Sequence, residues 1–484
     1  MRVAIIHYHL KPGGVTRIVE SAAEALAAYG VDLCAISGEP YTGGAELKTG
    51  VVSGLGYTTE ESEYIDPKYL LHELKAEAKE LLGGEPDLWH IHNHSLGKNA
   101  VLPDLVGLLV REGAAVLLQV HDFAEDGRPG NYQLVGEGIA DWKNLYPYGP
   151  RVHTAVLNRR DESILSGAGM PAECLHLLPN PVSVPHGAVA RPGSEPPKIA
   201  GMERLFLYPT RAIRRKNMGE FLCWAALARE GETFATTLAP ANPTARPVYE
   251  RWVALAKELE LPAVFELAQA VDLSFPEVMA AAETVVTTSV AEGFGMAFLE
   301  PFLFGKTLCG RDLPDITGDF FKAGVRLSGL YDRLDVPLEW IGGAGELRAK
   351  IAPSLAASYA AYGRECGPRE IAAALAAAVD GERVDFGRLD EDLQARAIRH
   401  LRSLSDPASE ILPPALVRQD ATTAEANRAA IAEHFNLKQY GQRLVGIYGK
   451  ILSAPASVAG SESLDPARVL DAFLDPARFC LLRT

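Results

Sequence analysis

What the chain lacks excludes more than its length does. Its six cysteines, Cys34, Cys174, Cys223, Cys309, Cys366 and Cys480, lie far apart with no Cys-x-x-Cys pair, so reduced thiols are expected, and neither a zinc knuckle nor a disulfide framework. Basic residues are in deficit: 47 Lys and Arg against 62 Asp and Glu leave a net charge of −15. A broad field of that sign repels nucleic-acid phosphate and anionic lipid, so neither is an expected partner. Long apolar runs are missing too. Leu102 to Val120 is interrupted by Asp104, Arg111 and Glu112, well short of a membrane span. Val3-Ala4-Ile5-Ile6 stops at His7, too early for a signal-peptide core. A cytoplasmic protein without membrane insertion is expected. Chemical fingerprints are absent as well: Pro12-Gly13-Gly14-Val15-Thr16-Arg17 lacks the third glycine of G-x-G-x-x-G, and neither G-x-x-x-x-G-K-[ST] nor G-x-S-x-G occurs, so no NAD site, P-loop or hydrolase elbow is expected.

What is present is an ordinary globular composition over 484 residues, 48% hydrophobic and 23% charged, long enough for two larger domains or three small ones. Val3 to Ile6 reads as a buried strand, Pro12-Gly13-Gly14 as a turn, and Ile18, Ala22, Leu26 and Tyr29 share one helical face before Gly30. The rhythm continues with strands at Val31–Ile36, Asp87–His94, Ala115–Val120 and Thr154–Leu157, and a helix at Asn99–Arg111. A Pro-rich stretch from Asn180 to Pro197 then separates a second half with the same rhythm. There the expected strands are Leu205–Tyr208, Thr233–Leu238, Ala263–Leu267 and Thr284–Thr288, with helices near 217–229, 246–259 and 274–282 between them. From about 318 the chain is Ala-rich and poor in strand signals, with long helical patterns at 385–402 and 420–452. The expected class is α/β: two doubly wound Rossmann-like domains facing a central cleft, with extra C-terminal helices. The boundaries read as 1–183, a linker at 184–203, 204–415, and C-terminal helices at 416–484.

Chemistry in such folds sits in loops after strands. Ser289-Val290-Ala291-Glu292-Gly293-Phe294-Gly295-Met296-Ala297-Phe298-Leu299-Glu300 follows a β-branched strand and opens a helix. Gly293 and Gly295 let backbone N–H groups approach an anion there. Glu292 lies in the loop, and Glu300, one to two turns into the expected helix, can accept two hydrogen bonds from a diol. Arg211 and Lys216 in Arg211-Ala212-Ile213-Arg214-Arg215-Lys216-Asn217 leave an earlier strand and can neutralise a diphosphate.

Glu292 and Glu300, with seven residues between them around Gly293-Phe294-Gly295, resemble the E-x7-E signature of retaining GT-B glycosyltransferases, especially glycosyltransferase family 4. Arg211 and Lys216 resemble that family's Arg-x4-Lys pyrophosphate loop, and Gly13-Gly14 followed by Arg17 its N-terminal Gly-Gly loop. The likeness spans roughly residues 1–310. It implies a nucleotide-diphosphate sugar donor with no resident cofactor or metal, and front-face transfer in which the departing phosphate helps deprotonate the acceptor. Catalytic roles then fall to Glu292, Arg211, Lys216 and His121, and donor contacts to Gly13, Gly14, Gly293, Phe294, Gly295, Met296 and Glu300. His121, in Val120-His121-Asp122, would lie near the donor sugar with Asp122 tuning it. Asn180-Pro181-Val182 resembles the family's Asn-Gly-Val with proline in place of glycine. The likeness also implies that a C-terminal helix returns to brace the first domain, with 420–452 as the candidate.

His7, His9, Lys11, Arg17, His92, His94 and Lys98 all come from expected strand-end loops of the first half. Together they read as an electropositive acceptor pocket, for a small soluble and anionic acceptor such as a sugar acid or sugar phosphate. Two other classes remain. His90, His92 and His94 alternate along one strand and allow a metal-dependent hydrolase; a non-catalytic nucleotide-sugar binding protein would keep the cleft without turnover. The sole Asp-x-Asp text, Asp390-Glu391-Asp392, lies in a charged helix, which disfavours a metal-dependent GT-A transferase. Self-association is left open.

Overall fold

A computed structural model describes residues 1–59, 62, 65–183, 197–455 and 461–483. Most of the linker expected at 184–203 therefore lies outside the described residues. The chain divides into two units, one of Met1–Pro181, Ala361–Arg364 and Phe435–Asp475, the other of Val182–Ala360, Glu365–His434 and Pro476–Thr484.

In the first unit the strands are β1 (Arg2–Ile6), β2 (Asp32–Ser37), β3 (Lys48–Val51), β4 (Leu88–His92), β5 (Val116–Val120), β6 (Pro147–Tyr148), β7 (Val152–Val156) and β8 (Leu175–Leu177). All but β6 form one parallel sheet in the order β3-β2-β1-β4-β5-β7-β8. Central strands of such a sheet are covered on both faces, which is why β4 and β5 are buried at every position. Helices form where caps are supplied. Asp66 accepts from the Lys68 N–H to start Pro67–Leu82, and Asn99 Oδ1 accepts from Val101 and Leu102 to start Leu102–Arg111.

The pattern expected as one helix over 420–452 is two. Ala421–His434 belongs to the second unit and Leu437–Ser453 to the first. Between them Phe435 is buried and Asn436 restarts the helix, its side chain accepting from the Gln439 N–H. Only the second helix reaches the N-terminal core, where Tyr440, Leu444, Ile447, Tyr448 and Ile451 pack with Val3, Ile5, Ile18 and Leu26.

In the second unit β9 (Arg204–Arg211), β10 (Glu232–Leu238), β11 (Ala263–Val264), β12 (Thr284–Thr287), β13 (Thr307–Arg311) and β14 (Leu330–Tyr331) make a parallel sheet in the order β11-β10-β9-β12-β13-β14. The strand expected over Ala263–Leu267 stops at Val264, because Glu266 takes a left-handed backbone (φ 55°) and Leu267–Ala270 turns helical. The region past 318, expected to be helical, adds β14 and a small antiparallel sheet of Asp335–Pro337, Arg383–Asp385 and Val379–Asp380. Arg311 ties that sheet to the main one. Its buried guanidinium lies 2.7 Å from both Glu220, on the helix Met218–Ala226, and Asp385.

Both halves are thus doubly wound, as the GT-B resemblance implies. In each the strand order reverses beside the first strand, between β1 and β4 and between β9 and β12, and loops leaving such a pair diverge to leave a crevice.

The packing of Leu437–Ser453 is testable. Leu444 is fully buried, so Leu444→Ala is expected to lower the first unit's unfolding free energy by about 2–5 kcal/mol in urea titrations. The exposed Gln442→Ala should stay within about 0.5 kcal/mol.

Candidate functional site

In the second unit the chain leaves β9 through Ala212 and Ile213 into a single 3₁₀ turn, Arg214–Lys216, and then Asn217, whose positive φ (53°) and side chain cap the next helix. The loop after β12 is stitched to this turn. The Val290 N–H donates to Arg215 O (2.9 Å), Thr288 Oγ1 donates to Lys216 O (3.0 Å) and Ser289 Oγ donates to Arg215 O (3.3 Å). Glu292 is thereby set against two cations, with Lys216 Nζ on one carboxylate oxygen and Arg215 on the other at 3.0 Å. The Lys216 and Glu292 side chains are only 12% and 10% exposed. Burial alone would push the Glu292 carboxyl up, but Lys216 and Arg215 outweigh it and hold the group below its ordinary range. Burial pulls the Lys216 ammonium down while Glu292, and to a lesser degree Glu300, pull it back up.

Glu300 therefore lies in the field of Lys216, but it opens a four-residue helix, Glu300–Leu303, and does not sit one to two turns into one; a 3₁₀ turn, Met296–Phe298, precedes it. Gly295 has φ 88°, and a Cβ there would come within 2.7 Å of Ile316 and 2.9 Å of Phe298, so glycine is required. Phe294 turns inward onto Phe320, ring centroids 5.5 Å apart, which limits its contribution at the surface to main chain. Arg211 is exposed at the end of β9. Arg214 is not part of a solvated basic patch, since it pairs with Glu391 (2.5 Å) and donates to Leu481 O. Arg215 is the partner that sequence reasoning did not single out; nothing in its spacing distinguishes it from Arg214.

The first unit's crevice is lined differently. His7 and His9 leave β1, His92 ends β4 and His121 follows β5. His92 Nδ1 lies 2.8 Å from His121 Nε2, its ring stacks on His90 at 4.4 Å, and the His7 ring is 6.3 Å away. His94 does not join them. Asn93 adopts a left-handed backbone (φ 55°), which breaks the alternation and sends His94 to Leu145 O at 2.7 Å. Asn93 also accepts the His121 and Asp122 N–H groups, locking the ends of β4 and β5 together.

The electropositive pocket is corrected on this geometry. Burial pushes His7 down to about 3, His121 to about 3 and His94 to about 4, and His92 well below its ordinary value. These rings are neutral at physiological pH. Lys11 is offset by Glu39 at 2.7 Å. Asp122 does not tune His121, being paired with Arg128 at 2.5 Å. Lys98 is set over the Tyr57 ring at 5.4 Å, and burial together with the field of Arg128 lowers its pKa. Arg128, which the motifs did not flag, is anchored through its N–H on Tyr362 Oη (2.7 Å) and its guanidinium on Phe123 O. Arg17 lies in the helix Gly14–Ala27, and a Cβ at Gly13 or Gly14 would meet almost nothing. Asn180 is buried with its Oδ1 unpartnered.

The metal-hydrolase alternative loses its basis in the same arrangement. His90 bonds Tyr448 (2.8 Å) and Gln119 (2.9 Å), away from the His94 contact. Among the described residues no group of three or more His, Cys, Asp or Glu side chains is placed to hold a metal ion.

Against known proteins, the chain is 27% identical over 489 residues to mannosylglucosyl-3-phosphoglycerate synthase of Petrotoga mobilis, covering 94% of this chain and 93% of that one. The chain resembles a glycoside synthase along nearly its whole length. No family model matches. Among solved structures, sucrose-phosphate synthase from Thermosynechococcus elongatus matches over 94% of this chain and 100% of that one, at 17% identity and TM-score 0.49. A glycosyltransferase from Rickettsia africae matches over 94% and 99%, at 13% identity and TM-score 0.49. The likeness that the motifs carried over residues 1–310 thus extends past them. No described helix is long and apolar enough to cross a membrane.

One further group is titratable at neutral pH. Glu125 is buried in the loop after β5, one oxygen accepting from Tyr146 Oη at 2.7 Å and the other unpartnered, and burial pushes its pKa up to about 7. Between its ordinary 4.5 and that value the folded state keeps a proton that the unfolded chain releases, so its contribution to stability falls as pH rises. Glu125→Gln removes that term. Relative to wild type, its unfolding midpoint should shift upward between pH 4 and pH 7, read from paired thermal melts; an unchanged difference would refute the assignment.

Proposed function

We propose that this chain transfers a hexosyl group, with retention, from a nucleoside-diphosphate sugar to a hydroxyl of a small acceptor bearing phosphate or carboxylate. The observation that carries this reading is the Arg215–Lys216–Glu292 cluster, with Glu300 beside it, at the strand-order reversal of the second unit. A diphosphate needs fixed cations in a poorly hydrated setting, and Lys216 is one. An arriving diphosphate would take Lys216 and Arg215 from Glu292, which frees that carboxylate to accept from hydroxyls of the sugar. Arg211, exposed on the same loop, adds a second guanidinium. Glu300 would hold the ribose diol, and the N–H groups of Gly295 and Met296 the phosphate oxygens.

In the transfer itself the bond from anomeric carbon to diphosphate oxygen breaks and a bond to the acceptor oxygen forms on the same face. The acceptor proton passes to the departing diphosphate oxygen, whose charge Lys216 stabilises. His121 would hydrogen-bond the transferred sugar. The proposal includes no resident cofactor or metal.

The acceptor class is supported by two observations of different kinds. The Petrotoga relative is named for a product containing 3-phosphoglycerate, which carries phosphate and carboxylate. In the first unit, Lys98, set over the Tyr57 ring, and Arg128, paired with Asp122, are cations on the loops that follow β4 and β5. An anion there would be held by Lys98 and Arg128, with His121 left to bind a hydroxyl.

Thermal melts with UDP, GDP, ADP and TDP test the donor half. One nucleotide is expected to stabilise wild type, by about 2.7 kcal/mol at 100 times its Kd, with the shift lost in Glu300→Ala; no shift with any of the four would sink the transferase reading. For the acceptor half, Arg128→Ala should raise the KM for 3-phosphoglycerate or its glucoside by roughly tenfold, the worth of one charge-assisted contact, and leave the nucleotide shift intact.

A further inference from the structure

His92 cannot touch an acceptor, because none of its surface is exposed, whereas His121 keeps 5%. The two rings meet through His92 Nδ1 and His121 Nε2 at 2.8 Å, and one hydrogen lies between them. The buried surroundings decide which ring owns it. His92 Nε2 has no partner. If His121 donated, His92 would have to carry its own hydrogen on Nε2, leaving a buried N–H unmet. If His92 donates from Nδ1, the orphan at Nε2 is only a lone pair. Buried donors without partners are rarer and costlier than under-used acceptors. His92 is therefore the donor, and His121 must carry its hydrogen on Nδ1.

The other rings follow the same rule. Gln119 Oε1 accepts from His90 Nε2–H at 2.9 Å, so His90 Nδ1 is the acceptor of the Tyr448 hydroxyl at 2.8 Å. His94 donates from Nε2 to Leu145 O, and its orphan nitrogen, here Nδ1, is again only a lone pair. His92 is clamped in orientation by this set. His90, pinned at both nitrogens, stacks on it at 4.4 Å with planes 28° apart, and the His121 ring meets it edge to edge, centroids 5.1 Å and planes 13° apart. The His90 contact is face to face and passes no proton, so the arrangement holds an orientation and is no relay.

We propose that His92 is a positioning residue, which by donating its Nδ1–H to His121 Nε2 locks His121 in the Nδ1–H tautomer and makes it a hydrogen-bond donor, not a base, toward a substrate oxygen. The substrate part rests on the transferase reading above; the tautomer does not. A donor suits a sugar hydroxyl or an oxygen gaining negative charge, and it leaves removal of the acceptor proton to the departing diphosphate.

The test is a long-range ¹H–¹⁵N correlation on the full chain labelled at histidine nitrogen, at pH 7, with His121 assigned from His121→Asn. The expected spectrum has a protonated-type Nδ1 and a bare Nε2 at His121. The reverse pattern, or an averaged pair of equal shifts, overturns the proposal. His92→Asn keeps an N–H near the original Nδ1, whereas His92→Leu fills the space without one. The Asn variant should preserve the His121 pattern and the kcat for UDP-glucose turnover. The Leu variant should average the pattern and cut kcat roughly 10-fold to 100-fold, as loss of an orienting partner does, with the donor KM unchanged. Should neither variant fold, the wild-type spectrum still decides. A chain blind to every nucleotide but with His121 protonated on Nδ1 would refute the transferase and spare the lock; a nucleotide-binding chain with His121 protonated on Nε2 would refute the lock alone.

Discussion

Everything functional in this chain depends on a constraint of parallel sheets. A strand, a crossover and a neighbouring parallel strand connect with right-handed sense, so a sheet that grows first one way and then the other from a central strand sends two adjacent loops to opposite faces. Here β1 lies between β2 and β4, and β9 between β10 and β12. The loops after β1, β4, β9 and β12, with the loop after β5 beside them, carry the residues described above. Their positions follow from backbone handedness before any side chain is considered.

The two crevices solve opposite electrostatic problems. In the second unit Glu292 and Lys216 enter a nearly dry site as charges, and each makes the other's burial tolerable. In the first unit the buried groups are imidazoles, and burial without a carboxylate partner keeps them neutral. A neutral imidazole has one donor and one acceptor, so a packed group of them becomes a directional hydrogen-bond network and stores no charge. Charge on these loops is carried by other side chains, Lys98 and Arg128 among them.

Much of the fold was legible. Strand and helix periods located most central strands of both sheets to within two or three residues, because buried parallel strands are short continuous apolar runs bounded by Gly and Pro. Lys48–Val51 and Thr307–Arg311 were not anticipated. Leu330–Tyr331 and Leu175–Leu177 are two or three residues long, too short for periodicity to register. The strand expected through Leu267 was cut by a positive φ at Glu266, a conformation glutamate does not advertise. The break at Phe435–Asn436 left a local signature in the Asn436 cap, but the pattern on either side of it was continuous enough to hide it.

By itself the sequence determined which residues could do chemistry and which loops would carry them: Glu292, Glu300, Lys216, His7, His9 and His121 all follow strands, and loop position is a local property. Tertiary structure decided charge and pairing. His92 and His94 differ by two positions and have the same composition around them, yet a single left-handed residue, Asn93, sends one to His121 and the other to Leu145. Likewise Arg214 and Arg215 are adjacent and chemically identical, but Glu391 claims the first and Glu292 the second. Protonation state and partner choice depend on burial and on groups tens to hundreds of residues away, which no local pattern encodes.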